Sequence, residues 1–260
     1  MKLQGNVALV TGSGRGIGKA TSIKYAENGA DLILADIDVE LVEKTAIEIR
    51  KIGRKCVTVN LDVGDIESID NMIDVANREM GGIDILFNNA GVTKHINFFD
   101  ITSEDWDRIN TVNAKGAFFC MQKIAKVMVD QGRGGRIINT ASIAGKGYRR
   151  ASNAAYAASK GSVIAMTYIC AGYLAEYDIN VNAVCPGVVK TDMMAGILSG
   201  RSSDVGVNTE ELESTVTSEI PLGRVNEAED IANLVVFLSG PESRNITGQS
   251  YNVDGGMIMH

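Results

Sequence analysis

Short apolar runs alternate with longer segments of helical periodicity along this chain, and that alternation is the strongest constraint on its fold. The apolar runs predict buried strands at Val7–Val10, Asp31–Ala35, Cys56–Val59, Ile83–Phe87, Arg136–Thr140, Ile179–Val184 and Gly248–Val253. Apolar residues spaced three and four apart predict helices at Gly16–Asn28, Val39–Lys51, Ile66–Met80, Glu104–Val129, Ala154–Glu176 and Ala228–Leu238. Strands that are apolar on both sides are typical of a parallel sheet covered by helices on both faces. We therefore expect an α/β fold with one doubly wound parallel sheet of about seven strands.

The chain has 260 residues, 45% of them hydrophobic, which is enough for one large core, so we expect a single domain over residues 1–260. One segment departs from the alternation, because residues 190–220 collect Gly, Ser, Asp and Thr without a strong period. A long irregular insert after the sixth strand would lie above the carboxyl ends of the strands, where such folds bind ligands. We interpret this segment as a substrate lid.

The charge and the cysteines argue against several classes of protein. A formal net charge of -7 argues against a nucleic-acid or anionic-membrane partner, because both need clustered positive charge. No apolar run approaches the length of a membrane span, and we expect no leader sequence. The four cysteines show neither C-x-x-C spacing nor a histidine-flanked pattern, so we expect no metal site and a reduced, cytoplasmic protein.

A glycine-rich turn, Thr11–Gly18, reads T-G-x-x-x-G-x-G and lies between the first predicted strand and the first predicted helix. Its glycines lack a Cβ atom, so they permit a tight turn and a close approach of the backbone to a phosphate, whose charge a helix N-terminus stabilises. The turn predicts a Rossmann-type dinucleotide site with contacts from Gly12, Ser13, Gly14, Arg15, Gly16, Ile17 and Gly18.

Asp36 ends the second predicted strand, at the distance from the turn where an acidic residue accepts hydrogen bonds from the adenosine ribose. A carboxylate there repels a 2′-phosphate, so the sequence favours NAD over NADP as cofactor. Arg15 is the counter-argument, since a cation beside the turn could hold that phosphate. The alternative for Asp36 is a helix N-cap or a first-turn acid, which suits the same position.

Tyr156 and Lys160 are four residues apart on a predicted helix, so their side chains share one face. An ammonium a few ångströms from a phenol favours the phenolate, which predicts a lowered pKa for Tyr156 and acid–base chemistry near neutral pH. Ser142, at the end of a predicted strand, could hydrogen-bond the same substrate oxygen. By itself, the Tyr–Lys spacing is equally typical of an ordinary exposed pair on a helix.

Together these motifs resemble the short-chain dehydrogenase/reductase family, in its shorter, single-domain branch, over nearly the whole chain. The family's N-N-A-G stands at Asn88–Gly91, its helical asparagine at Asn113, and its nicotinamide-binding segment at Pro186-Gly187 followed by Thr191. The resemblance implies an NAD(P)-dependent oxidoreductase acting on CH–OH groups, with a catalytic tetrad of Asn113, Ser142, Tyr156 and Lys160.

The resemblance also implies a role for each of these residues. Tyr156 would be the acid/base, Lys160 would lower its pKa and bind the nicotinamide ribose, and Ser142 would position the substrate. Asn113 would hold a water that links Lys160 to solvent; the alternative is a buried asparagine satisfied by backbone. Besides Tyr156 and Lys160, the implied cofactor contacts are Asp62, Val63, Asn89, Ala90, Gly91, Pro186, Gly187, Val189 and Thr191.

Substrate contacts are expected from residues 92–97, residues 145–153 and the lid. The candidates are Ser142, Tyr156, His95, Tyr148 and Arg149. Polar lining of this kind suits a polyol or sugar derivative better than a steroid or a long acyl chain. The simpler interpretations are a polar rim residue for His95 and ordinary loop charges for Arg149 and Arg150.

Other functions share part of this pattern. A 3-oxoacyl-carrier-protein reductase has the same tetrad but usually prefers NADPH, against which Asp36 argues. A non-catalytic cofactor-binding regulatory protein would more often lack a member of the tetrad. The expected partners are a small alcohol or ketone substrate and further copies of the chain. The family commonly forms homotetramers through the helices predicted at Glu104–Val129 and Ala154–Glu176, and through the last helix and strand.

Overall fold

Seven strands form one parallel sheet in the computed structural model, which describes residues 1–259. The strands are β1 (Val7–Thr11), β2 (Asp31–Asp36), β3 (Cys56–Asn60), β4 (Ile85–Asn88), β5 (Gly135–Thr140), β6 (Ile179–Pro186) and β7 (Ser250–Val253). Their order across the sheet is β3-β2-β1-β4-β5-β6-β7, and every pair is parallel. The predicted fold class is confirmed. Because the chain order reverses between β1 and β4, a crevice opens at the carboxyl ends of these strands.

The helices cover both faces of this sheet. They are α1 (Gly16–Glu27), α2 (Val39–Lys51), α3 (Ile66–Met80), α4 (Ser103–Asn110), α5 (Ala117–Gln131), α6 (Ala154–Leu174), α7 (Asp192–Val205), α8 (Thr209–Ser218) and α9 (Ala228–Ser239). One buried cluster contains Tyr25 of α1 and Ile231 of α9, and a second contains Met72 of α3 and Ile124 of α5. Each cluster packs on the sheet, so the strands are covered from two sides. Within residues 1–259, no helix is both long and apolar enough to cross a membrane.

The helix predicted at Glu104–Val129 is interrupted by a π-helical segment at Thr111–Gly116, which separates α4 from α5. Inside it, Asn113 is buried and bonds the backbone of Val92, on the loop after β4. Gly116 packs so closely on β3's loop that a Cβ atom there would lie 2.6 Å from the carbonyl oxygen of Val63. These two long-range contacts occur within the π-helical segment, and the spacing of apolar residues in the sequence does not predict them.

The expectation of an irregular segment at residues 190–220 is wrong, because α7 and α8 occupy most of it. Thr191 caps α7 by accepting from Met194 N at 3.4 Å, and Asn208 caps α8 by accepting from Glu211 N at 2.8 Å. Each of the two helices buries one residue, Leu198 in α7 and Val216 in α8. Because each helix has such a narrow apolar stripe, the apolar residues of this segment show only a weak helical period. The two capping residues, Thr191 and Asn208, are the local signals in the sequence that could have indicated these helices.

Candidate active site

The glycine-rich turn follows β1 directly and lies against the loop after β4. Gly12 has a φ of +66°, and a Cβ atom there would come 3.0 Å from the Cα of Ala90. At Gly18 a Cβ atom would collide with the Gly12 carbonyl oxygen, so only glycine allows α1 to start this close to β1. The turn therefore needs glycine for steric reasons that are independent of any ligand.

The N-terminus of α1 is left open to a ligand. Its N-cap residue, Arg15, makes no side-chain cap hydrogen bond, and its first turn contains no acidic residue. By contrast, Asp38 caps α2 and Asp65 caps α3 through their carboxylates. Backbone N–H groups without a cap, at the positive end of a helix dipole, suit the pyrophosphate of a dinucleotide. This part of the site therefore fits the predicted cofactor.

The carboxylate of Asp36 is fixed beside the turn. Its Oδ2 accepts from the N–H of Gly14 at 3.0 Å, and its Oδ1 accepts from the N–H of Asp38 at 3.1 Å. Asp38, not Asp36, is the N-cap of α2, which removes the alternative of a capping role for Asp36. Arg15, the cation that could instead hold a 2′-phosphate, is largely exposed, and its guanidinium lies 3.8 Å from the carboxylate of Asp192.

A cavity of 750 Å³ extends from the turn along the carboxyl ends of the strands. The predicted cofactor residues that line it are Gly12, Arg15, Gly16, Ile17, Asp36, Asp62, Val63, Asn89, Ala90, Gly91, Tyr156, Lys160, Pro186, Gly187, Val189 and Thr191. Three others, Ser13, Gly14 and Gly18, are buried behind this surface. The Ser13 hydroxyl donates to Ala35 O at 3.3 Å. These three residues therefore shape the turn instead of lining the cavity.

Ser142, Tyr156 and Lys160 line the same cavity. Ser142 follows β5 and caps a 3₁₀ turn at Ile143–Lys146, with its Oγ accepting from Ala144 N at 3.1 Å. Tyr156 and Lys160 project from the first two turns of α6, and the Lys160 ammonium lies 5.9 Å from the centre of the Tyr156 ring. Lys160 is only 4% exposed, so the alternative of an ordinary exposed pair does not hold.

The expected lowering of the Tyr156 pKa by Lys160 is not what this geometry gives. Burial of the phenol raises the pKa of Tyr156, and the nearby Ser142 hydroxyl offsets only part of this. Burial also lowers the pKa of Lys160 to about 8. The ammonium is turned towards backbone, donating to the Thr140 carbonyl oxygen at 2.7 Å. Desolvation is therefore the largest influence on the pKa of both groups, and Tyr156 is a protonated phenol at neutral pH.

Asn113 does not line the cavity. Its Oδ1 accepts from Val92 N at 2.8 Å, and its Nδ2 donates to Val92 O at 2.9 Å and to Ser159 Oγ at 3.1 Å. The Ser159 hydroxyl in turn donates to the Tyr156 carbonyl oxygen at 2.8 Å. The amide is thus satisfied by protein groups, as in the alternative interpretation, and it ties the loop after β4 to the helix that carries Tyr156 and Lys160.

The substrate candidates divide into two groups. Tyr148 lines the cavity together with Ser142 and Tyr156, whereas His95 and Arg149 do not. His95 points to α7, where its Nε2 lies 2.8 Å from the Asp204 carboxylate, and Arg149 is exposed. For these two residues the simpler interpretations, a rim residue and a loop charge, agree with the structure.

Two other arginines line the cavity: Arg150, for which an ordinary loop charge was the simpler interpretation, and Arg201, which lies in the predicted lid. Arg150 forms an ion pair with Glu219, just beyond α8. Arg201 of α7 donates to the carbonyl oxygens of Arg150 and Ala151 at 2.7 and 3.2 Å. Their placement depends on how α7 and α8 pack on the loop before α6, which no local sequence signal reports.

At the switch point of the parallel sheet, the glycine-rich turn leads into an uncapped helix N-terminus, and a buried Tyr–Lys pair lies in the same cavity. This combination defines a dinucleotide-dependent oxidoreductase. Known proteins agree with this class. Residues 12–258 match the family model described as Enoyl-(Acyl carrier protein) reductase. The chain belongs to the short-chain dehydrogenase/reductase family, whose members bind a nicotinamide cofactor, and it is an oxidoreductase acting on CH–OH groups.

Several relatives are similar along their whole length. The chain is 40% identical to a sorbitol dehydrogenase of Cereibacter sphaeroides and 39% identical to a galactitol 2-dehydrogenase of Agrobacterium fabrum. It is 37% identical to a 3-oxoacyl-[acyl-carrier-protein] reductase of Thermotoga maritima. In all three comparisons, 100% of both chains is covered. A crystal structure of NAD⁺-bound xylitol dehydrogenase superposes with a TM-score of 0.91 at 34% identity, covering 98% of this chain and 100% of that one.

Proposed function

We propose that the protein is an NAD-dependent dehydrogenase that interconverts a secondary alcohol and a ketone in a polyol or sugar derivative. The observation that carries this proposal is that Ser142, Tyr156 and Lys160 lie in one cavity with Asp36 and the uncapped N-terminus of α1. Polyol dehydrogenases among the similar proteins support the substrate class.

The residues of the site have complementary tasks at the substrate oxygen. The bound nicotinamide ring supplies hydride acceptance or donation at the substrate carbon. The Ser142 Oγ uses a lone pair to accept from Ala144 N, and its own hydrogen would be donated to the substrate oxygen. Tyr156, protonated at neutral pH, would give its proton to that oxygen in ketone reduction and take it back in alcohol oxidation. Lys160, held by Thr140, would contact the nicotinamide ribose.

Asp36 supports NAD over NADP, and a substitution tests this. In Asp36→Asn the side chain can still accept from Gly14 N but no longer repels a 2′-phosphate. We expect the NADP-to-NAD ratio of kcat/KM to rise by at least about tenfold. Asp38→Asn is the matched control, since it removes the same charge two residues away and keeps a good N-cap for α2. An unchanged ratio in Asp36→Asn would contradict the role of Asp36.

The similar 3-oxoacyl-carrier-protein reductase supports one second candidate, an NADPH-dependent reductase of acyl thioesters. A panel of polyols, simple secondary alcohols and 3-oxoacyl thioesters, each with both coenzymes, separates the two. Oxidation of polyols with NAD supports the proposed function. Reduction of thioesters with NADPH, without polyol turnover, overturns it.

We further propose that the chain forms a homotetramer, as the family resemblance implies. Tyr168, Ile169 and Tyr173 on the outer face of α6 are 47%, 62% and 72% exposed. Large apolar side chains grouped on one exposed helix face are typical of a surface that another protein covers. A second copy of the chain is the occupant that the proposed tetramer supplies.

A further inference from the structure

Two hydroxyl groups from distant parts of the chain meet in the cavity wall. Thr93, on the loop after β4, and Ser152, just before α6, have their hydroxyl oxygens 2.6 Å apart. Both residues line the cavity that contains Ser142 and Tyr156, and Ser152 is only 6% exposed. The pair is therefore a partly buried polar feature of the candidate site.

The hydrogen bonds of this pair do not use all the donor and acceptor capacity of the Ser152 hydroxyl. Asn153 Nδ2, which can only donate, gives a hydrogen bond to Thr93 Oγ1 at 3.2 Å. If Thr93 donates to Ser152, the Ser152 hydrogen has no protein acceptor among the described residues. If Ser152 donates instead, the lone pairs of its oxygen receive no protein hydrogen there. In either arrangement the nearly buried Ser152 hydroxyl, already paired with Thr93, can make one further hydrogen bond.

Asn153 fixes the position of the pair relative to α6, the helix that carries Tyr156 and Lys160. Asn153 is the N-cap of α6, and its Oδ1 accepts from Tyr156 N at 2.7 Å. The same asparagine donates to Lys94 O at 2.8 Å and to Thr93, so one side chain links the hydroxyl pair to the first turn that carries Tyr156. A substrate group bound at Ser152 would thus be oriented relative to the phenol by these hydrogen bonds.

We propose that Thr93 and Ser152 form a subsite that binds a second hydroxyl of the substrate, next to the one that reacts. The inference rests on the proposed function and narrows it to alcohols with a neighbouring hydroxyl, such as vicinal diols. An alcohol hydroxyl both donates and accepts, so it complements Ser152 in either hydrogen arrangement. An apolar substituent at the same place would leave the remaining hydrogen-bonding capacity of Ser152 unused and would bind less well.

The test compares two substrates that differ by one hydroxyl, 1,2-hexanediol and 2-hexanol, each as single enantiomers with NAD. The variants are Ser152→Ala and the near-isosteric Thr93→Val. They retain the backbone bond from Ile96 N to Ser152 O and the bond from Asn153 to Lys94 O. Ser162→Ala, on the exposed side of α6, is the matched control. The quantity measured is the diol-to-alcohol ratio of kcat/KM, which does not depend on how much of a variant is folded.

We expect the wild-type protein and Ser162→Ala to prefer the diol, and each cavity variant to lower the ratio by about 3- to 10-fold, the value of one neutral hydrogen bond. A ratio that stays at the wild-type value in both cavity variants overturns the subsite while leaving the proposed function intact. A wild-type protein that oxidises neither these alcohols nor any polyol overturns the proposed function, and the subsite with it.

Discussion

The proposed chemistry depends on the phenol of Tyr156, and removal of this phenol gives the sharpest prediction. Tyr156→Phe keeps the ring packing but deletes the proton donor, so turnover should fall by about 10²- to 10⁴-fold. NADH affinity, measured by fluorescence titration, should change little because the turn and Asp36 are untouched. Tyr173→Phe, an exposed tyrosine on the same helix, is the control and should keep full activity. Near-normal turnover in Tyr156→Phe would show that another group moves the proton.

Lys160 gives a second prediction, because burial lowers its pKa to about 8. Folding therefore disfavours the ammonium, and this cost to stability is fully present below about pH 8. As pH rises from about 8 towards the ordinary lysine value, the folded protein releases the proton and the cost disappears. The shift corresponds to roughly 3 kcal/mol at neutral pH.

The measurement is the free energy of unfolding of the wild-type protein and of Lys160→Met between pH 7 and 10. The wild-type protein should gain stability relative to Lys160→Met as pH rises above about 8. Lys126→Met, at an exposed position of α5, is the matched control. A constant difference for Lys160→Met would mean that the folded protein does not disfavour the ammonium.

At the scale of elements, α7 and α8 form one side of the cavity. Asp204 of α7 accepts from Asn97 Nδ2 at 3.1 Å and lies 2.8 Å from His95 Nε2, both on the loop after β4. Few buried side chains support the two helices, so polar contacts of this kind carry much of their attachment. We therefore keep the prediction that residues 190–220 act as a substrate lid.

Asp204→Ala tests the lid, because it removes both contacts at once. We expect faster proteolytic cleavage within residues 190–220 and a KM raised by about 3- to 10-fold, with a smaller effect on kcat. Ser203→Ala is the control, since within residues 1–259 the Ser203 hydroxyl bonds only the Ser199 carbonyl oxygen in its own helix. Unchanged cleavage and KM in Asp204→Ala would mean that this attachment does not govern access to the cavity.

The elements also show which features the sequence predicts. The turn at Thr11–Gly18 and the position of Asp36 are local patterns, and the structure places them as expected. The π-helical segment depends on contacts of Asn113 and Gly116 with distant loops, so periodicity cannot reveal it. Arg150 and Arg201 enter the cavity only because α7 packs beside the loop before α6. The raised pKa of Tyr156 likewise arises from burial, which exists only in the folded chain.

For the whole molecule, the two sides of the sheet differ in what they leave exposed. Ile169 on α6 is 62% exposed and lies near the exposed Tyr168 and Tyr173, whereas Ile47 on α2 is 46% exposed. The two helices pack against different buried clusters, so they lie on different faces of the sheet. If α6 contributes to a tetramer, a charge at Ile169 is buried on assembly, and an unpaired buried charge is costly.

Ile169→Asp should therefore reduce the mass in solution below the tetramer value of four 27.7 kDa chains, measured by light scattering during size-exclusion chromatography. The isolated subunit should remain folded, because the aspartate faces water there, and its circular dichroism should match the wild-type protein. Ile47→Asp makes the same substitution on the other face and should leave the mass unchanged. A monomeric wild-type protein, or a tetrameric Ile169→Asp, would show that the exposed face of α6 is not a subunit interface.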